Sequence, residues 1–328
     1  YYNLTIPQTS IEGKAFTGKI YVTNHSCSTS EIPPAYITLL NAYGGKDNIT
    51  ELPDSAFANA TTASDKGMYA KADDYTETTG MKSYYYRGAV DNNWVKFGKE
   101  GDKDIYWRII RINGDGSIRM IYSGTTDPKT DSSVTGSNGV YMTGEGTQIG
   151  TSAFNSSRNK AEYVGYMYTE GLQHGNGTSS SIKTRVENWY AGTTLKDNPL
   201  ISQDQIFCND RSASSTQTAA WTSTGATYYY GANGRLTQTT KSPQLKCPTE
   251  SDKFTSRKSS IGNKALTYPV GLITADEVAM AGGVYGKNNS SYYLYTNQYY
   301  WSGSPNSFFS SVAVEFDVDS SGFLSDIN

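Results

Sequence analysis

Few side chains in this sequence could do chemistry. There are three cysteines, Cys27, Cys208 and Cys247, and two histidines, His25 and His174. Cys208 and Cys247 flank a long excursion rich in Ser, Thr, Gly and Tyr. A bridge there would staple a weakly cored loop and contribute about 3–4 kcal/mol on the loop-entropy model. The pair is read as a disulfide, with two buried free thiols, or one buried and one free, as the alternative. Cys27 and His25 share Asn24-His-Ser-Cys27, but no second cysteine stands at zinc-ligand spacing, so no metal site is predicted there. His174 would have to serve any Ser-His-Asp chemistry beside His25, and it reads as a mobile residue in Gly171-Leu-Gln-His-Gly-Asn-Gly177. Gly144-Glu-Gly146 lacks the strand-to-helix setting and the Lys-Ser/Thr of a phosphate loop. Without an activated nucleophile, an acid/base pair or a cofactor loop, the expectation is a non-enzyme with no catalytic residue and no cofactor.

Calcium is the chemical alternative. Asp317-Val-Asp-Ser-Ser-Gly322 places oxygen ligands at alternate positions before a glycine, as in the first half of an EF-hand loop, which makes Asp317 and Asp319 the weak metal candidates. Asn328 stands where a bidentate glutamate is required, and no helices flank the run. The run is therefore read as a hairpin turn between strands Val312–Asp317 and Phe323–Ile327.

The other chemistry on offer is recognition. From Tyr285 the chain is mostly Tyr, Asn, Ser and Asp, as in Tyr292-Tyr-Leu-Tyr295 and Asn297-Gln-Tyr-Tyr-Trp301. Tyrosine offers large contact area with little side-chain entropy to lose, and Asn and Ser adapt their hydrogen bonds. The predicted ligand-binding residues are Tyr285, Tyr292, Tyr293, Tyr295, Asn297, Tyr299, Asn306, Phe308, Phe309, Ser310, Asp319, Ser321 and Phe323. Of these, Tyr292, Tyr293, Tyr295, Tyr299, Asn306 and Phe308 are expected to have many of their side chains exposed in one contiguous patch, with Trp301 packed inward beneath them. Tyr84–Tyr86 and Tyr228–Tyr230 are instead read as strands with about half their rings inside.

The elements that must position these residues are partly legible. Thr274 and Glu277 stand at capping-box spacing, Val278 and Ala281 continue an apolar face, and Gly282-Gly283 ends the helix. Ser181–Tyr190 is a second helix, with Ile182, Val186 and Trp189 at helical spacing. Ala35–Tyr43 before Gly44-Gly45 reads as a short helix, and Phe16–Val22 as a strand. Ser83–Val90 and Trp94–Phe97 are read as paired strands around Asp91-Asn-Asn93. A second hairpin joins Ile105–Ile112 to Ser117–Tyr122 through Asn113-Gly-Asp-Gly116, and the Asn-Gly pair is a strong hairpin signal. Thr125–Ser152 is a loop. Hairpins followed by helices, with helices fewer than strands, give an α+β class.

Thr274-Ala-Asp-Glu-Val-Ala-Met-Ala-Gly-Gly283, then Tyr299-Tyr-Trp-Ser-Gly-Ser-Pro305 and Val314-Glu-Phe316 through Gly322-Phe-Leu324, resembles the end of a C-type-lectin-like, formylglycine-generating-enzyme-like domain. The likeness covers roughly residues 66–328 and is strongest at Tyr84–Tyr122 and Phe207–Gly283. It implies a mixed sheet with two flanking helices, the segments at 181–190 and 274–281. It also implies a bacterial or phage protein of the kind diversified by retroelements, whose variable face is rich in Tyr, Asn, Ser and Asp. The formylglycine-generating relatives use cysteines near their groove, and this chain has none after Cys247. The calcium-dependent sugar signatures, Glu-Pro-Asn or Gln-Pro-Asp with Trp-Asn-Asp, are absent. Relatives usually continue with a further closing strand, so truncation after Asn328 is an expectation, as is an upstream signal or anchor before Tyr1.

The domain expectation is an N-terminal segment or small subdomain, residues 1–62, on the stalk or assembly side, and a lectin-like domain over 63–328 with its binding face at 285–328. With 328 residues, a net charge of −3 and no basic run, nucleic acid is excluded as a partner. The function expected is a secreted or surface-displayed, extracellular adhesin or receptor-binding protein. It would bind a protein or cell-surface ligand and reach a membrane only through an N-terminal anchor. A self-assembling, pilin-like filament subunit is the alternative, and a formylglycine-generating-type enzyme is the third reading.

Overall fold

The computed structural model describes residues 35–72, 81–130, 143, 145–257 and 261–327. Phe16–Val22, His25 and Cys27 lie outside the described residues. Among the described residues, two large antiparallel sheets, two short two-stranded ones and four α-helices make an α+β protein. The first sheet contains β1 (Lys66–Lys71), β2 (Ser83–Gly88), β3 (Trp94–Glu100), β4 (Lys103–Ile112) and β5 (Ile118–Tyr122). The hairpin β4–β5 forms as expected, with Ile112 opposite Ile118 across the Asn113 turn. The other expected pair does not. β2 and β3 both lie against β4, Tyr85 facing Arg111 and Trp94 facing Arg108, instead of against each other. β4 is long enough to template both, and β1 takes the far side of β2.

Short pairs follow: β6 (Met167–Tyr168) with β7 (Thr178–Ser179), and β8 (Phe207–Cys208) with β10 (Lys253–Phe254). A disulfide joins Cys208 to Cys247, with Cα atoms 5.7 Å apart. The second large sheet runs β13 (Leu324–Ile327), β12 (Val312–Val318), β11 (Tyr300–Phe309), β9 (Tyr228–Tyr229). Among the described residues, parallel contacts occur only as isolated bridges, Glu51 to Ala70 and Tyr285 to Leu324.

The helices are α1 (Ala35–Asn41), α2 (Ser181–Ala191), α3 (Gly231–Leu236) and α4 (Ala275–Ala281). α3 is glycine-containing and carries no apolar period, and it escapes a sequence reading. α2 is capped by Ser180, whose hydroxyl accepts from Lys183 N. Ile182, Val186 and Tyr190 turn inward, so Tyr190 fills the inner place expected of Trp189. α4 is buried on every side. Its capping box forms, and Gly282 closes it at φ 129°, a conformation side chains disfavour.

Glu277 does more than cap. It pairs with Arg111 of β4 and, at 2.7 Å, with Arg119 of β5, so one buried carboxylate ties α4 to the first sheet. Burial pushes this carboxyl up, but Arg119, Arg111 and the Thr274 hydrogen bonds outweigh it and hold it below the usual carboxylate range. The main core gathers Tyr86, Ile109, Ile110 and Ile112 of the first sheet, Val278 of α4, Tyr292–Leu294, and Phe316 and Val318 of the second sheet. Leu40 and Ile49 join this core, which places residues 35–62 against the main body.

Candidate functional site

The predicted recognition residues separate into three places. The first is the core. Tyr292, Tyr293, Asn306 and Phe308 are at most 2% exposed, which overturns their assignment to an exposed face. Tyr292 donates to Gly322 O at 3.3 Å. Tyr293 stacks beneath Arg108, a buried guanidinium that also lies 4.1 Å from the Trp94 ring and whose pKa burial lowers to about 9. Asn306 accepts from Asn233 Nδ2 at 3.1 Å, and Phe308 packs with Tyr228, Tyr230, Ala161 and Val164. Burial pushes the Tyr292 and Tyr293 hydroxyls above the ordinary tyrosine range. A tyrosine-rich run therefore supplies core as well as surface.

The second place is the tip of the β11–β12 hairpin, where Phe309 is 52% exposed. Ser310 and Ser311 make the two-residue turn with φ of 50° and 67°. Both residues take the left-handed conformation that such turns require and that Asn-Gly usually supplies.

The third place is the opposite end of the same sheet. Tyr300 pairs with Val318, and Val318 with Leu324, so the start of β11, the end of β12 and the start of β13 lie side by side. Tyr285 bridges to Leu324 and joins them. This end collects Tyr285, Tyr295, Asn297, Tyr299, Asp319, Ser321 and Phe323. The length of β11, at about 3.3 Å per residue, puts Phe309 roughly 30 Å away. One contiguous patch holding all the predicted residues is therefore not formed.

Sequence chemistry explains the shape of this end. Asp319 Oδ1 accepts from Ser321 N at 2.8 Å, Ser321 Oγ at 2.7 Å and Phe323 N at 3.0 Å, which closes the turn locally. Gly322 is required, because it has φ 76° and a Cβ there would lie 1.8 Å from Asn289 O. The loop preceding β11 is locked to the turn by Asn289 N donating to Ser321 O and Ser321 Oγ donating to Asn288 Oδ1. Tyr285 packs against Phe316 and Phe323, with ring centroids at 6.0 and 6.2 Å, and donates to Asp326 Oδ1 at 2.9 Å. Burial and Asp326 push its hydroxyl up to about 12. Tyr299 is 60% exposed, and Asn297 is exposed with φ 56°. Gln298 accepts from Gln148 Nε2 at 3.1 Å, which brings the loop before residue 152 to this end.

Trp301 is half-buried. It donates to Ser152 O at 2.9 Å and meets Phe154 edge-on. Of the metal candidates, Asp319 is engaged in its own turn. Asp317 sits buried in β12, where burial raises its carboxyl to about 6. Among the described residues no group of three or more His, Cys, Asp or Glu is arranged to hold a metal ion.

Two features had no sequence signal. Glu315, on β12, is 3% exposed with no hydrogen-bond partner for either oxygen, and burial raises its carboxyl well above the ordinary range despite Arg211. His174 is held as well: its Nδ1 lies 3.0 Å from Asp252 Oδ2, while Arg211 takes Asp252 Oδ1 through Nε and Nη2. Only the tertiary fold reveals these, since Asp252 stands far from His174 in sequence and Glu315 is buried by packing between distant elements.

Compared with protein-family models, with curated proteins and with solved structures, the chain matches none. No helix among the described residues is long and apolar enough to cross a membrane.

Proposed function

We propose that this chain is a secreted or surface-displayed binding protein built on a C-type-lectin-like domain, a receptor-binding or adhesive module and not an enzyme. The recognition surface is the end of the second sheet formed by Tyr285, Tyr295, Asn297, Tyr299, Asp319, Ser321 and Phe323. The observation that carries this reading is the convergence of adaptable polar and aromatic residues on a rigid support. The support is buried Tyr292, Tyr293 and Phe316 under a turn closed by Asp319. Contact residues held in place by packing and hydrogen bonds beneath them, as Tyr285 is held by Phe316 and Asp326, are what a specific site requires. Retroelement diversification of this surface belongs to the same proposal and rests on the sequence resemblance.

The test is binding of the whole chain to an array of bacterial and eukaryotic cell-surface proteins. A specific partner lost in an Asn297→Ala/Tyr299→Ser variant of unchanged Tm supports the reading. A partner retained by that variant, and lost instead on Phe309→Ser, would place recognition at the hairpin tip and overturn it.

A further inference from the structure

We propose a second, calcium-independent binding site for a neutral saccharide in the groove beside α2. The inward positions of this helix are Ile182, Val186 and Tyr190, which leaves Arg185 and Asn188 exposed and Trp189 partly buried against Trp107 and Tyr190, at spacings of three and four residues. These three line an open groove of about 300 Å³ with Glu100, Ile149 and Gly192. Such a volume is at the small end of the ligand-site range, roughly 300–1,000 Å³, and fits one or two sugar rings.

Trp189, Glu100 and Arg185 are held by contacts within the protein. Trp189 is held edge-on by Tyr122, with centroids 5.0 Å apart, and by Trp107 at 6.2 Å. The indole thus loses little freedom on binding. Glu100, at the end of β3, accepts from the Tyr122 hydroxyl at 3.1 Å through Oε2. Arg185 donates to Ile149 O, and Gly192 ends the helix without a side chain to obstruct approach.

The chemistry of the set selects the ligand. One guanidinium and one carboxylate cancel, so the groove has no net charge with which to prefer an anion or a cation. A guanidinium, a carboxylate and a primary amide are each planar, with two hydrogen-bonding atoms side by side. That geometry matches vicinal hydroxyl pairs. An indole beside them offers an apolar surface for the C–H face of a pyranose. Tyr299 does not line this groove, so the site stands independently of the recognition surface described above.

The experiment uses the whole chain with mannose, galactose, N-acetylglucosamine, lactose and chitobiose as probes. It is read by saturation-transfer NMR and by Trp fluorescence, with and without EDTA. The expected result is binding of at least one of the five at about millimolar Kd, unchanged by EDTA. Asn188→Ala and Arg185→Ala alter exposed side chains and leave Tm unchanged, and each weakens that binding roughly tenfold. Tyr299→Ser leaves it intact. Binding of none of the five, binding indifferent to both groove variants, or binding of glycine betaine in place of the sugars would each overturn the proposal.

Discussion

Tyr292→Ser and Tyr299→Ser, seven positions apart in one tyrosine-rich run, should behave oppositely. Tyr292 is 0% exposed in the main core, while Tyr299 is 60% exposed. An aromatic side chain buries about 150–250 Å². At about 25 cal/mol per Å² that burial amounts to roughly 4–6 kcal/mol, an upper estimate because the unfolded chain is itself partly compact. Truncation of buried aromatics typically destabilises by about 3–5 kcal/mol, in agreement. Tyr292→Ser also removes the hydroxyl bonded to Gly322 O, loosening the turn that shapes the candidate surface. With a Tm shift of about 2–4 °C per kcal/mol for a domain of this size, Tyr292→Ser should lower Tm by roughly 10 °C. Tyr299→Ser should change stability by about 0.5 kcal/mol or less. Calorimetry or far-UV dichroism on both variants decides it. Equal melting temperatures, or a larger loss for Tyr299→Ser, would refute the division of this run into core and surface.

Glu277→Ala should destabilise by about 3–5 kcal/mol in urea titrations, since it strands Arg111 and Arg119 in the interior and opens the α4 cap; a loss below about 1 kcal/mol would show that the network is dispensable. The same carboxyl is held below its ordinary range, so its contribution is present above the unfolded-state pKa and should fade as pH falls through its folded value. Glu315 and Asp317 have raised pKa values, so their neutral forms are favoured on folding and stability through them should fall as pH rises from about 4 through about 6 for Asp317. Glu315→Gln and Asp317→Asn should each raise stability at pH 7 by about 1–3 kcal/mol and flatten that limb of the pH curve, whereas destabilisation by both would contradict the assignment. Cys208→Ser should lower stability by about 4 kcal/mol for a bridge spanning 39 positions, checked by urea titration against the oxidised wild type.

Local signals carried much of the fold. The capping box at Thr274 and Glu277, the Asn113-Gly turn and the Asp319 turn are short-range chemistry, and the structure forms each of them. What the sequence hid was tertiary. The strand Tyr300–Phe309 carries Pro305 within a bulged stretch and shows no clean alternation, so its register comes from β12 and β9. The placement of β2 and β3 along one long β4 depends on competition among strands. Composition alone could not divide the tyrosines after Gly283. The inward rings are chosen by Arg108 and the turn at Gly322, both far from them in the chain. Asn306 illustrates the same point, since an amide typical of a paratope is spent on Asn233.

The most direct measurement is to sequence the genomic neighbourhood of the gene. The account predicts a reverse transcriptase gene beside a near-copy of the 3′ coding end. Differences between copies should fall where the near-copy carries adenine, at the codons of Tyr285, Tyr295, Asn297, Tyr299, Asp319, Ser321 and Phe323, and spare those of Tyr292, Tyr293 and Phe316. Absence of both gene and repeat, or differences concentrated in the codons of the buried residues, would contradict it.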